Sequence, residues 1–370
     1  MSFCRKEPNR TYREDVVSGF KTIHNFEKQI LIPIEFAPDL SLGFDETNAD
    51  AFFERPVDLD VETDGNIYVL DRKALAIKKF DAQGRFIKKI GGAGQGPGEF
   101  ELPFSIRLDK QRRIYCLDGM RKTILVFNPE GMYLRSIKFL HSVYGFDVTR
   151  RNEILLHFSI DDENLRNRSQ RVDKIARFDD QGNLLGEICS VERYFYERIS
   201  SAPFVFTLPC FLRWNIQGQG NLCIGKADRY EFKIYSPDGV LQSGFEKEYK
   251  PFSLEPETRK KVLEILDRLK SDKEKVREYA EHYEIFNWVS SDEKNRIWVE
   301  LFQPDLPDKL STSSLYDVFS ADGKYLFSTQ VPNNVKSRLV FKSGHVYFLS
   351  ANAEGNIGIL RMKVQEKAER

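Results

Sequence analysis

A short phrase recurs along this chain and constrains its fold more than any other feature. Residues 64–71 read DGNIYVLD, and residues 112–118 read RRIYCLD one repeat later. Each copy follows the same order: an apolar strand, a polar turn, a second strand of alternating apolar residues, a third strand, a glycine turn and a fourth strand. Repeated units of four antiparallel strands are typical of a β-propeller.

Glycine marks the turn between the third and fourth strands of each unit. The turn keeps a constant length and ends at Gly84, Gly131, Gly182, Gly239 and Gly323. The spacing between these glycines grows toward the C terminus, which indicates that insertions stretch one basic unit.

A sixth unit at the C terminus lacks a fourth strand. Its first three strands are predicted within residues 338–341, 345–349 and 357–364. Residues 29–36, before the first full unit, form an orphan strand in which Pro33 suits only an edge position. We expect this segment to close the ring as the outer strand of the last blade, hiding the two edges that a linear array would expose.

The sequence therefore predicts an all-β fold, a six-bladed β-propeller of four-stranded antiparallel blades closed by an N-terminal strand. We expect an N-terminal tail over residues 1–27, the propeller over 28–365 and a C-terminal tail over 366–370. The 29 Phe and 15 Tyr residues can fill a core between blades, because aromatic side chains pack well on pleated surfaces.

The composition argues against several classes of protein. Lys plus Arg and Asp plus Glu number 56 each, so the net charge is zero and a broadly basic, nucleic-acid-binding surface is not indicated. The five cysteines are an odd number and show no CxxC spacing, so neither structural disulfides nor a zinc site is expected.

The chain contains no apolar run of transmembrane length, and residues 1–10 lack the apolar core of a signal peptide. As written, the sequence predicts a cytoplasmic monomer. The alternative is an exported or lipid-anchored protein whose true start lies upstream of Cys4, because a mature lipoprotein begins with a cysteine followed by a polar tail.

One connector carries a family resemblance. Residues 91–100 read GGAGQGPGEF, followed by Pro103 and Asp109, and residues 65–69 read GNIYV before Asp71. Over residues 56–131 these motifs resemble the NHL-repeat or TolB-like six-bladed propellers, which implies the same fold. The connector is interpreted as a tight backbone crossing and not as a phosphate loop, because no Lys-Ser or Lys-Thr follows it and the next element is a strand.

The long insertions fall on one face of the predicted ring. The first-to-second and third-to-fourth turns of each blade share one face, and these stay short. The other face, which we call the elaborated face, carries residues 159–173, 190–209, 247–285 and 301–313. Long loops on a rigid scaffold commonly carry binding. The candidate binding residues in the loops of this face are Asp71, Arg72, Asp118, Arg121, Asp228 and Arg229.

The longest insertion, at about residues 253–284, is predicted to be a helical hairpin. Val262, Ile265 and Leu269 fall at helical spacing, and residues 271–274 read SDKE, a capping box that would start a second helix. We expect the apolar stripe of this hairpin to pack on the propeller.

Alignment of the first strands places one residue of each blade at an equivalent position. Apolar neighbours such as Val57 and Leu59 point these residues toward the central channel. The six residues are Asp58, Arg107, Asp147, Arg213, Trp288 and Arg338. Either the Arg and Asp side chains satisfy one another around a water-filled pore, or the surplus arginines and the tryptophan bind an anionic or aromatic group.

The sequence favours a non-enzymatic recognition module for a protein, peptide or small anionic ligand, with no cofactor. The histidines lack metal-binding spacing and no GxSxG motif is present, so no catalytic residue and no metal ligand is assigned. The first alternative is a hydrolase or lyase with a divalent metal such as calcium at the pore, as in the propeller lactonases that this fold resembles. The second is RNA binding, as in some NHL proteins, against which the neutral net charge argues.

Overall fold

The chain forms a ring of six β-sheets, which confirms the predicted six-bladed propeller. The computed structural model describes residues 11–26, 29–32, 34–160, 170–194, 212–268, 281–304, 313–335 and 337–366. Five sheets have four strands, and the sheet of blade four has six.

Three strands precede the first blade: β1 (Tyr12–Val17), β2 (Phe20–Asn25) and β3 (Glu35–Leu42). Blade one comprises β4 (Pro56–Val61), β5 (Ile67–Asp71), β6 (Ala76–Phe80) and β7 (Phe86–Ile90). Blade two comprises β8 (Pro103–Leu108), β9 (Ile114–Asp118), β10 (Thr123–Phe127) and β11 (Tyr133–Lys138). Blade three comprises β12 (Ser142–Val148), β13 (Ile154–Ile160), β14 (Gln170–Phe178) and β15 (Leu184–Tyr194).

Blade four comprises β16 (Leu212–Ile216), β17 (Leu222–Lys226), β18 (Glu231–Tyr235) and β19 (Leu241–Lys247). The helix α1 (Pro256–Arg268) follows it. Blade five comprises β20 (Phe286–Ser291), β21 (Ile297–Leu301), β22 (Ser314–Phe319) and β23 (Tyr325–Val331). Blade six comprises β24 (Val340–Lys342), β25 (His345–Ala351) and β26 (Ile357–Gln365), with β3 as its outer strand.

The hydrophobic core lies between neighbouring blades. The middle strands β9 and β10 are buried along their whole length, because each sheet is covered by another on both faces. Between blades four and five, the ring of Phe232 stacks on Phe245 at 4.7 Å and on Phe286 at 4.9 Å between centroids. Aromatic packing of this kind supplies the contact between blades that the high Phe content predicts.

The glycine-rich connector between blades one and two is a backbone crossing, as expected. The Phe100 N–H donates to the Gly92 carbonyl at 2.7 Å. Gly94 has φ +145°, and a Cβ there would lie 2.1 Å from Oε2 of Glu99, whose carboxylate accepts the Gly96 N–H at 2.8 Å. The connector leads directly into the strand β8, so its glycines serve close backbone approach.

An N-terminal strand closes the ring, but it lies later in the chain than we expected. The closing strand is β3, which pairs antiparallel with β26. Ile30 and Ile32, in the expected segment 29–36, instead exchange backbone hydrogen bonds with Ser328 at the outer edge of blade five. Pro38 makes β3 difficult to recognise as a strand from the sequence, because proline is rare in strands. It is tolerated here because β3 is an edge strand, and the pairing with β26 has a register shift between Arg361 and Met362.

Residues 12–25, which we assigned to a tail, form a hairpin that extends blade four. Its strand β2 pairs parallel with β19, so that Lys21 lies opposite Ser243. The Asn25 side chain donates to the Glu246 and Gly323 carbonyls at 2.9 and 3.0 Å and accepts the Tyr325 N–H at 2.8 Å. The N-terminal segment therefore crosses the outer edges of blades four, five and six.

The helix α1 confirms a helical segment in the longest insertion. It begins at Pro256. Proline is well tolerated there, because the N–H groups of the first helical turn have no acceptor within the helix. The second predicted helix, from Ser271, lies outside the described residues, as do residues 1–10 and 367–370 of the predicted tails. No helix in the described part of the chain is long and apolar enough to cross a membrane.

Candidate functional site

A cavity of about 360 Å³ lies where the inner strands of all six blades meet. The six residues predicted to face the channel all line it: Asp58, Arg107, Asp147, Arg213, Trp288 and Arg338. The lining residues extend along the inner strands, from Leu212 at the start of β16 to Arg107 and Asp147 near the ends of β8 and β12. The cavity therefore runs along the central channel.

Asp58 is the centre of a fixed polar network. Its Oδ2 accepts hydrogen bonds from Ser105 Oγ at 2.9 Å, the Ile106 N–H at 3.0 Å and Arg107 Nη1 at 2.8 Å. Arg338 Nη2 lies 3.5 Å from Oδ1. Although burial opposes ionisation, the charges of Arg107 and Arg338 hold the pKa of Asp58 below its ordinary value.

Asp147 differs from Asp58 in the balance of the same forces. Its Oδ2 lies 3.4 Å from Arg107 Nε, and its Oδ1 accepts the Val148 N–H at 2.7 Å. Burial raises the pKa of Asp147 above its ordinary value despite the charges of Arg107 and Arg338. Arg107 thus joins an acid that stays ionised to one that protonates more readily.

Arg213 is paired with a carboxylate that the sequence analysis missed. Its Nη2 lies 3.0 Å from Oε2 of Glu284, and its Nε donates to the Asn287 carbonyl at 2.5 Å. Burial lowers the pKa of Arg213 and raises the pKa of Glu284. Glu284 comes from the end of the long insertion, so strand alignment could not place it beside Arg213.

Trp288 presents its ring to the cavity. Its residue is 40% exposed, although it lies in an inner strand and lines a concave site. Trp214 of blade four approaches Gly145 of blade three, where a Cβ would lie 4.0 Å from Cζ2 of the indole. The aromatic lining of the cavity comprises Phe104, Tyr144, Phe146, His157, Trp214 and Trp288.

His157 lies on the cavity wall in β13, with a buried carboxylate behind it. Its Nε2 is 3.6 Å from Oδ2 of Asp173, and its ring centroid is 5.5 Å from that of Tyr144. The Tyr144 hydroxyl is 2.9 Å from Ser159 Oγ. The spacing of His157 in the sequence gives no signal that it borders the channel.

Within the described ranges, no three His, Cys, Asp or Glu side chains are grouped so that they could hold a metal ion. Asp58 and Asp147, the acidic residues that line the cavity, both contact Arg107. A divalent cation there would compete with a guanidinium already in place.

Asp71 and Asp118 stabilise the propeller backbone and do not line the cavity. The carboxylate of Asp71 accepts the backbone N–H groups of Glu54, Arg55 and Ala74. Asp118 makes the same pattern with Glu101, Leu102 and Arg121 in the next blade. Each aspartate at the end of a second strand therefore fastens the connector that leads into its blade.

The other loop candidates also lie apart from the cavity lining. Arg121 donates to the Glu99 carbonyl at 2.7 Å and holds the glycine connector. Arg72 is partly buried, and burial lowers its pKa together with the charge of Arg55. Asp228 is buried and its charge helps to raise the pKa of Glu284, whereas Arg229 is exposed.

Comparison with known proteins supports the fold. A family model described as DUF5128, 6-bladed beta-propeller, matches residues 14–196, just under half of the chain. A search of curated proteins finds no match. The family model bears out the six-bladed fold, and the NHL likeness of the connector stays a prediction.

Solved structures with the same fold are distant in sequence. A Bacteroides fragilis protein described as exported is 12% identical, with a TM-score of 0.57 over 93% of this chain and 99% of that chain. A DUF4221 family member from Bacteroides vulgatus is 13% identical, with a TM-score of 0.53 over 92% of this chain and 100% of that chain. A gluconolactonase from Xanthomonas campestris is 12% identical, with a TM-score of 0.50 over 89% of this chain and 97% of that chain. These likenesses show the fold alone.

The raised pKa of Asp147 predicts a pH-dependent contribution to stability. The folded state binds the Asp147 proton more tightly than the unfolded chain, so wild-type stability falls as pH rises from 3.8 through the raised pKa. Asp147→Asn removes this dependence. Urea unfolding between pH 4 and pH 7 should therefore show that the stability of Asp147→Asn relative to wild type increases as pH rises. A pH-independent difference between the two proteins would contradict this assignment.

Proposed function

We propose that this propeller is a non-enzymatic recognition module that binds a small molecule in the cavity of its central channel. The observation that carries the proposal is Trp288, which leaves a large aromatic surface open inside a concave site. A ligand that covers this ring gains the burial of its apolar face. The cavity volume of about 360 Å³ falls within the range of about 300–1,000 Å³ usual for small-molecule sites.

The rest of the site supports binding because it is organised before a ligand arrives. Asp58 is held by two backbone amides, those of Leu59 and Ile106, as well as by Arg107. Arg338 donates to the Leu59 carbonyl at 2.7 Å. Side chains fixed in this way lose little conformational freedom on binding, which favours affinity and selectivity.

A pore-centred hydrolase or lyase is the second candidate. The observation that favours it is His157, which borders the cavity with Asp173 behind its ring. A histidine oriented by a carboxylate can act as a general base. If this candidate is correct, the protein converts a bound compound, and His157→Gln lowers the rate of conversion at least tenfold. A compound that binds without being converted would instead support the recognition role.

A thermal-shift screen of small molecules tests the recognition role. Compounds that raise the Tm of wild type should lose at least about tenfold in affinity on Trp288→Ala, or about 1.4 kcal/mol. Phe252→Ala is the matched control, because Phe252 is similarly exposed, at 44% against 40% for Trp288, and does not line the cavity. Equal ligand affinity in both variants would remove the cavity from the proposal.

A further inference from the structure

Each arginine that lines the cavity lies beside a carboxylate. Arg107 lies 2.8 Å from Asp58 and 3.4 Å from Asp147, and Arg338 lies 3.5 Å from Asp58. Arg213 lies 3.0 Å from Glu284. Three guanidinium groups thus meet three carboxylates, and the surplus of arginine inferred from the sequence is removed by Glu284.

This pairing disfavours a charged ligand. An anion would have to separate one of these arginines from its carboxylate, and a cation would have to do the reverse. Separating a partly buried ion pair leaves one charge uncompensated, which is strongly unfavourable. A neutral ligand leaves every pair intact.

The same groups still offer hydrogen bonds to a neutral ligand. The side chains of Arg107 and Arg338 line the cavity and are 13% and 17% exposed. The Asp147 side chain is 22% exposed, and its Oδ2 contacts Arg107 Nε at 3.4 Å, beyond an ordinary N–H···O hydrogen bond. Hydroxyl groups can donate to the carboxylate and accept from the guanidinium groups, because each hydroxyl does both.

The shape of the cavity further limits which neutral ligands fit. Trp288 lies in the blade between those of Arg213 and Arg338, so a flat aromatic surface is flanked on both sides by polar groups. A pyranose ring has a matching form, with a face of C–H groups and a rim of hydroxyls. The cavity volume of about 360 Å³ is near the lower end of the usual range, which fits one or two such rings.

We propose that the cavity binds a neutral mono- or disaccharide, with one ring stacked on Trp288 and its hydroxyls on Asp147, Arg107 and Arg338. The proposal rests on the proposed recognition function and names its ligand class. It replaces the small anionic ligand expected from the sequence with an uncharged one.

Isothermal titration with three matched sets of compounds tests this inference. The sets are neutral hexoses and their disaccharides, the corresponding uronic acids, and benzoate with 4-hydroxybenzoate. We expect a neutral saccharide to bind at least about tenfold more tightly than its uronic acid, with little change in affinity between 50 and 500 mM salt. Tighter binding of a uronic acid or a benzoate would overturn the saccharide proposal while leaving a small-molecule site in the cavity.

Asp147→Asn gives a second and independent readout. The variant keeps the side-chain volume and removes a negative charge. It should therefore lower the affinity for the neutral saccharide about tenfold, through loss of a charge-assisted hydrogen bond. Glu153→Gln is the matched control, because Glu153 belongs to the same blade and does not line the cavity. Unchanged saccharide affinity in Asp147→Asn would contradict the proposed contacts. If no compound of the three sets binds and no compound in the thermal-shift screen raises the Tm, the recognition function itself is rejected.

Discussion

Replacing Asp317 by Leu is expected to lower the free energy of unfolding by about 3–5 kcal/mol, because the buried Lys247 ammonium loses its counter-charge. Oδ2 of Asp317 lies 2.6 Å from Lys247 Nζ and accepts the Tyr230 hydroxyl at 2.7 Å. The two charged side chains are 0% and 4% exposed. This pair lies between blades four and five, where the N-terminal segment also docks through Tyr325.

Urea unfolding of two variants checks this expectation. The double variant Lys247→Met with Asp317→Leu should recover part of the loss, because it removes both charges and fills the site with apolar groups. A single variant as stable as wild type would show that the pair contributes little, and a double variant no more stable than the single one would show that the loss does not come from the unpaired Lys247 charge.

Replacing Asp58 by Ala is expected to have a similarly large effect, about 3–5 kcal/mol, because two guanidinium groups lose their common carboxylate. Arg107 and Arg338 both approach Asp58, and Ser105 Oγ also donates to it. Asp147→Ala should lose much less stability, because burial already disfavours the charge of Asp147 and raises its pKa.

The comparison of Asp58→Ala with Asp147→Ala is made by urea unfolding at pH 7. The two residues occupy equivalent positions in blades one and three, so each is the matched control for the other. Equal losses in the two variants would mean that the network around Asp58 does not hold the inner strands together as described.

The blades could be predicted from the sequence because their signals are local. The glycine turns after Phe80, Phe127 and Tyr235 and the alternation within strands depend only on neighbouring residues. The six channel residues followed from the same alternation. Their meeting around one cavity then follows from ring closure, which brings equivalent positions of all blades together.

The errors arose where distant parts of the chain meet. The hairpin of β1 and β2 joins blade four by parallel pairing with β19, which leaves no turn signature in the sequence. The closing strand β3 carries Pro38, and only its edge position makes this proline acceptable. Glu284 was missed for the same reason, since its partner Arg213 lies in another blade. Its absence from the sequence analysis made the channel look cationic.

The most direct test of the account is a crystal structure of the protein soaked with the compound that gives the largest thermal shift. We predict that the compound lies in the channel cavity, with its flat face against Trp288 and its polar edge toward Asp147 and Arg338. A compound bound elsewhere on the ring, with the cavity free of it, would contradict the assignment of this site.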